Sequence, residues 1–315
     1  MIKFIVRILI TILLFYLIFC SVDMKGVLEE LKSIDAAFLV LALLFQLLST
    51  LVASYRWYLI MHLLGFGQTF YYYVGSYFKG TFFNQALPTS IGGDAIRVLD
   101  AGKIGKGHKE AFYGVFIDRV VGLSGLMLLN LIALIASPDL LPPGIQWLIG
   151  LIAASGIAGV GVLMTLRYLQ WLTRYKITRM FHHISQRLAL VFHSVLNTTA
   201  QTALSLIIHF LTMASVFSVG KSLGMELPFL TFLVLVPPAL LLTVVPVSLA
   251  GWGVRESAMI GLFLLLKTGA PAKTTVLSMS LVYGLLLIVV SIPGLYFYVS
   301  GHRHRDEIKV AENAE

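Results

Sequence analysis

Six stretches of this chain stay apolar for about 20 residues at a time, the length a helix needs to cross a hydrocarbon core of ~30 Å. They run over Ile2–Phe19, Ala36–Leu64, Ala111–Ala136, Ile145–Leu166, Ala200–Leu223 and Thr274–Val299. A soluble domain carries about a quarter charged residues. Here 12% are charged and 58% are hydrophobic, so lipid is the solvent and an all-α polytopic membrane protein is the expected fold class. Residues 1–300 read as one integral membrane domain, and 301–315 as a short polar tail. Lys3 and Arg7 open the first apolar run. No small-x-small cleavage pattern follows it, so the run reads as a retained helix rather than a signal peptide. Cys20 is the only cysteine, which excludes a disulfide within the chain.

The connecting segments alternate in charge. Arg97, Lys103, Lys106 and Lys109 lie between the second run and Ala111, and Arg167, Arg174, Lys176, Arg179 and Arg187 follow the fourth. The segments Asp23–Asp35 and Ser137–Gly144 are acidic or nearly uncharged. Basic loops remain cytoplasmic, so both termini are expected inside. The +8 net charge then reflects orientation rather than a nucleic-acid partner. Arg167–Arg187 reads either as a plain basic loop or as an amphipathic helix on the leaflet, with Trp171, Ile177, Met180, Phe181 and Ile184 on its apolar side. Trp57 and Tyr71–Tyr73 read as interfacial anchors.

Two further apolar segments, Phe70–Leu87 and Pro228–Val245, end in related motifs. Pro88-Thr-Ser-Ile-Gly-Gly-Asp-Ala-Ile-Arg97 and Pro246-Val-Ser-Leu-Ala-Gly-Trp-Gly-Val-Arg255 share Pro, Ser, Gly and Arg at equal offsets. Pro and Gly free backbone groups that hydrocarbon cannot satisfy, so a broken helix persists only where protein buries it or where it lines a cavity. Three crossings separate the motifs, and an odd number inverts the second copy. Two re-entrant hairpins are therefore expected in an inverted repeat, Gln68–Lys103 from the cytoplasm and Pro228–Leu266 from outside, beside six full crossings. The alternative count turns the second pair into full crossings, giving eight helices.

Asp118 and Arg119 sit inside the third run. An ion there costs ~2.5–3.5 kcal/mol on insertion scales, so such residues face a partner or a cavity. Adjacent helical residues point ~100° apart, which directs this pair toward Asp94/Arg97 or Arg255/Glu256. Arg97, Arg119 and Arg255 together would form a phosphate-binding set. Asp94, Asp118 and Glu256 would hold them, and Asn84 would cap freed backbone. Pro88, Gly92, Gly93, Pro246 and Gly251 would shape the two breaks. The competing reading is an ion-pair network that only ties helices together. His209 reads as an interhelical hydrogen-bonding residue. No histidine group has metal-ligand spacing, and no Walker loop, G-x-S-x-G elbow or H-E-x-x-H occurs. Neither a metal nor a cofactor is expected, and no catalytic residue is assigned.

Asn84–Arg97, Asp118-Arg119-Val-Val-Gly-Leu and Pro246–Glu256 occur in this chain in an order that resembles one family. It is the transmembrane, flippase-like region of bacterial lysyl-phosphatidylglycerol synthases, with the free-standing membrane proteins related to it. The resemblance spans roughly residues 5–300. It implies the handling of a phospholipid or polyprenyl-type lipid in a bacterial or archaeal cytoplasmic membrane. After Val299 only 16 residues remain, so aminoacyl transfer by this chain alone is not expected. The leading expectation is a lipid translocator that binds an anionic lipid. The alternatives are an integral membrane lipid transferase, with Asp118 or Glu256 as base, and a non-catalytic partner of a separately encoded lipid-modifying enzyme docked on the basic face.

Overall fold

The structure is a computed structural model that describes residues 2–86, 92–104 and 106–312. Twelve α-helices and no strand form among the described residues. They are α1 (Ile2–Ser21), α2 (Met24–Lys32), α3 (Ala36–Leu63), α4 (Phe70–Ala86), α5 (Gly92–Gly102), α6 (Gly107–Ala136), α7 (Pro143–Thr165), α8 (Lys176–Val191), α9 (Val195–Ser222), α10 (Phe229–Val244), α11 (Val254–Phe263) and α12 (Lys273–Glu312). The starts follow local chemistry. Asp35 caps α3 by accepting from the Ala37 amide at 2.8 Å, Ser194 caps α9 through the Asn197 amide at 3.2 Å, and Pro143 opens α7.

Five helices, α3, α6, α7, α9 and α12, are long and apolar enough to cross a membrane, and the pair α1 and α2, bent by 88°, adds a sixth span when the two are counted as one broken helix. The protein is a multi-pass membrane protein. The remaining apolar helices form two hairpins. At 11 and 10 residues, α5 and α11 rise only about 15 Å and cannot cross a core of ~30 Å. The eight-crossing count is thereby excluded. Lys79 on α4 pairs with Asp100 near the end of α5, and the Gly93 amide donates to Asn84 Oδ1 at 2.9 Å, so the arms run antiparallel. In the second hairpin Phe232 meets Phe263 edge-on at 5.6 Å, and Gly251 lies against Thr243.

The helix neighbours pair off between the halves. α3 packs on α9, α4 on α12 as α10 packs on α6, and α5 on α6 as α11 packs on α12. α3 and α9 hold equivalent places and run antiparallel. Asp35 N–H donates to Ser222 O at 3.0 Å, Ser215 Oγ to Ala42 O at 2.8 Å, and Ser49 Oγ to Ile208 O at 3.0 Å. That is the geometry of an inverted repeat. Between these helices the seam is built from serine, threonine and alanine. In lipid, close approach and interhelical hydrogen bonds replace the hydrophobic drive.

One device the sequence reading missed supports the second hairpin. Pro237 and Pro238 lie inside α10 and lack the N–H groups that would bond the carbonyls of Leu233 and Val234. Asn130, in the last third of α6, donates its Nδ2 to both carbonyls, at 3.1 and 2.9 Å.

Several expectations need correction. Trp57 and Tyr73 are fully buried rather than interfacial, whereas Tyr71 is exposed. Of the Arg167–Arg187 segment, two 3-10 turns and α8 form. Of the residues expected on its apolar side, Ile184 is buried and Phe181 is exposed, and beyond the segment Leu188 and Val191 pack with Ile60, Ile117 and Val121. Trp171 and Ile177 are exposed. Arg187 is held by both oxygens of Glu110 at 2.6 Å. Beyond the apolar run Thr274–Val299, α12 carries on through polar residues to Glu312.

Candidate functional site

The site grows from the first hairpin. Gly80 on α4 faces Gly93 on α5, and a β-carbon on Gly93 would overlap the Gly80 carbonyl. Only glycine permits that crossing. With the arms this close, Arg97 on α5 reaches across toward α3 and α6. Asn84 closes the start of α5 by accepting from the Gly93 amide, which satisfies one of the donors left open at a helix N-terminus.

Five ionised side chains then alternate in sign. Arg56 on α3 donates through Nε and Nη2 to Asp118 Oδ1, at 3.1 and 2.9 Å. Arg97 Nη2 donates to Asp118 Oδ2 at 2.6 Å and Nη1 to Asp94 Oδ1 at 3.2 Å. Arg119 Nε donates to Asp94 Oδ2 at 2.6 Å. The order is Arg56, Asp118, Arg97, Asp94, Arg119, with a cation at each end. Asp118 and Arg119 do reach different partners, as their adjacent positions on one helix require.

Burial varies along this series. The side chains of Arg56, Arg97 and Asp118 are 5%, 5% and 2% exposed, whereas Arg119 is 45% exposed. Extra contacts offset the desolvation of the buried members. Arg56 also donates to Ser205 Oγ at 2.9 Å and to the Asp118 carbonyl at 3.1 Å. The Arg97 guanidinium lies over the rings of Trp57 and Tyr77, 4.1 and 4.6 Å from their centroids, a cation–π arrangement suited to a desolvated arginine. Gly122 leaves room for the Arg56 fork. His209 bonds the Gly122 carbonyl at 2.8 Å, the interhelical role expected of it.

Around this series lies a cavity of about 220 Å³ between α3, α4, α5, α6 and α9. Arg56, Arg97, Arg119, Asp94, Asp118 and Asn84 all line it. Three guanidinium groups against two carboxylates leave one positive charge. Arg97 Nε is buried with no protein partner among the described residues.

Of the residues expected at one site, Asn84, Asp94, Arg97, Asp118 and Arg119 come together, and Gly92 and Gly93 start α5 beside them. Pro88 lies outside the described residues. Arg255 and Glu256 do not line this cavity. Glu256 accepts from Arg255 Nη2 at 2.6 Å and from the Gly253 amide at 2.6 Å, and Ser280 bonds it at 3.0 Å. Arg255 lies over Trp252 at 4.8 Å, in room that Gly284 leaves open. This second cluster is neutral and buried. Its break bends through Pro246, a left-handed Ala250 (φ 47°) and Gly251 (φ 81°). The third guanidinium of the cavity is Arg56, which the sequence reading overlooked. The signal was present, since Arg56 is an ion within the Ala36–Leu64 run and such residues face partners or cavities.

The break of the second hairpin approaches the first, with α4 packing against Leu249–Gly251. From the far side α1 covers the same break: Thr11 Oγ1 accepts from the Leu249 amide at 3.0 Å, and Leu14 lies against Gly253.

Comparison with curated proteins finds no match. The model of the lysylphosphatidylglycerol synthase TM region, by contrast, matches residues 4–294. That match takes in both hairpins and all five members of the charged series, and the chain belongs to this family.

Proposed function

We propose that the protein is a lipid translocator that binds the phosphate of a phospholipid or polyprenyl-phosphate-type lipid in the arginine-lined cavity. The family implies a membrane lipid-related role, and the cavity supplies a chemical reason for it. The carrying observation is an alternating series of five ions, cationic at both ends, between the membrane-spanning helices α3 and α6 and the first hairpin. Its single surplus positive charge complements one phosphodiester. Arg119 is the exposed end and meets a head group first, while Arg97 lies behind it with an open Nε. Acyl or prenyl chains remain in lipid. Movement of the α4–α5 hairpin against its α10–α11 counterpart would present the cavity to alternate leaflets, with populations set by head-group contacts.

The test is reconstitution into vesicles that contain a fluorescent phospholipid, with dithionite reporting the accessible leaflet. Arg119→Ala removes the exposed donor and leaves the buried core of the series intact. A hydrogen bond to a charged group contributes ~1.5–3 kcal/mol, so flipping should slow about tenfold or more. Arg119→Lys should recover only part of the rate, because an ammonium lacks the planar fork. An unchanged rate in Arg119→Ala, at equal protein incorporation, would refute the assignment.

A further inference from the structure

A larger cavity of about 730 Å³ opens at the base of the first hairpin, between α4, α5 and the later part of α12. It shares no lining residue with the arginine cavity. Its polar wall holds the Lys79–Asp100 ion pair and Lys103. No carboxylate pairs with Lys103 among the described residues, so this wall carries one surplus positive charge. Ser76 is 1% exposed, and its hydroxyl has no partner among the described residues. The positive end of the α4 dipole opens here at Gln68 and Thr69.

Apolar groups line the same cavity beside these charges. Tyr71 meets Phe297 edge-on at 5.8 Å, and Ile96 and Leu99 continue the surface. Tyr71 and Leu99 are 70% and 46% exposed, so this side opens laterally along the hairpin. A cationic recess joined to an exposed apolar wall matches an amphiphile rather than a free anion. The size also suits a ligand, since small-molecule sites run to ~300–1,000 Å³. From this geometry we infer a second lipid site, which takes the phosphate of an anionic phospholipid on Lys103 and lays the start of its chains along Tyr71, Leu99 and Phe297. It does not depend on the function of the arginine cavity.

Native mass spectrometry of the purified protein, titrated with phosphatidylglycerol, phosphatidylcholine or glycerol 3-phosphate, tests this site. Lys103→Glu reverses an exposed charge, and Leu99→Trp fills the lateral opening from a half-exposed position. A basic group near a membrane surface attracts an anionic lipid, so reversal should weaken one class of phosphatidylglycerol binding about tenfold or more. Leu99→Trp should weaken the same class, and phosphatidylcholine should bind equally to all forms. Arg119→Ala should leave this class unchanged, which separates failure here from failure of the arginine cavity. Wild-type phosphatidylglycerol binding in both variants would overturn the site. Displacement of the lipid by glycerol 3-phosphate would overturn its amphiphilic character.

Discussion

Replacing Asn130 with Leu would test whether one side chain stabilises the double-proline segment of α10. Asn130 is 1% exposed, and both of its Nδ2 bonds end on carbonyls that Pro237 and Pro238 leave without helical partners. Leu keeps the branched shape and removes both donors. Two interhelical hydrogen bonds in a membrane protein average ~0.6 kcal/mol each, which sets a floor of about 1.2 kcal/mol. Two buried carbonyls left without donors cost ~1–3 kcal/mol apiece, a ceiling of about 6 kcal/mol. Asn130 Oδ1 already lacks a partner among the described residues, and its removal returns part of the loss. The expected destabilisation is therefore about 2–3 kcal/mol. Unfolding in mixed micelles, titrated with SDS and followed by circular dichroism, would measure it. The decisive comparison is a double-mutant cycle. Pro237→Ala with Pro238→Ala restores two backbone donors, so Asn130→Leu should cost less than about 0.5 kcal/mol in that background. An equal cost in both backgrounds would refute the role assigned to Asn130, leaving its effect to packing alone.

Two further outcomes follow from the first hairpin and its charges. Asp118→Asn should destabilise the protein by about 3–5 kcal/mol, because it leaves the Arg56 and Arg97 guanidinium groups buried without their shared carboxylate; a loss below 0.5 kcal/mol in the same SDS titration would show that the series is not structural. Gly93→Ala should cost about 1–3 kcal/mol by forcing the hairpin arms apart at Gly80, while Gly159→Ala, with no group nearby to meet its methyl, should be neutral in the same thermal melt.

The charged series shows why only part of the site was legible in the sequence. An ion inside an apolar run announces itself by its desolvation cost, so Asp118 and Arg119 stood out and Arg56 was equally available. Their partners were less accessible. Arg97 and Arg255 occupy equivalent places in two matching motifs, yet one lines a cavity and the other is neutralised by its neighbour Glu256. The difference lies in surrounding residues far away in sequence: Asp118 and Asp94 with Trp57 and Tyr77 around Arg97, and Ser280, Tyr283 and Gly284 around Arg255. Motif similarity carries no information about those neighbours.

Local chemistry alone determined the solvent, the spans and the breaks. A run of about 20 apolar residues has one stable form in hydrocarbon, because every backbone group must be satisfied within it. Proline and glycine interrupt that form between α10 and α11, whereas Pro237 and Pro238 stay helical where Asn130 takes the carbonyls they leave free. The tertiary structure decided which freed groups find partners and which arginines face a cavity. Asn130 reaches the α10 carbonyls across 103 and 104 positions of chain, and Arg56 reaches Asp118 across 62. Such pairings depend on helix rotation and on the missing β-carbons at Gly80, Gly93, Gly122 and Gly284, which take effect only when the helices pack.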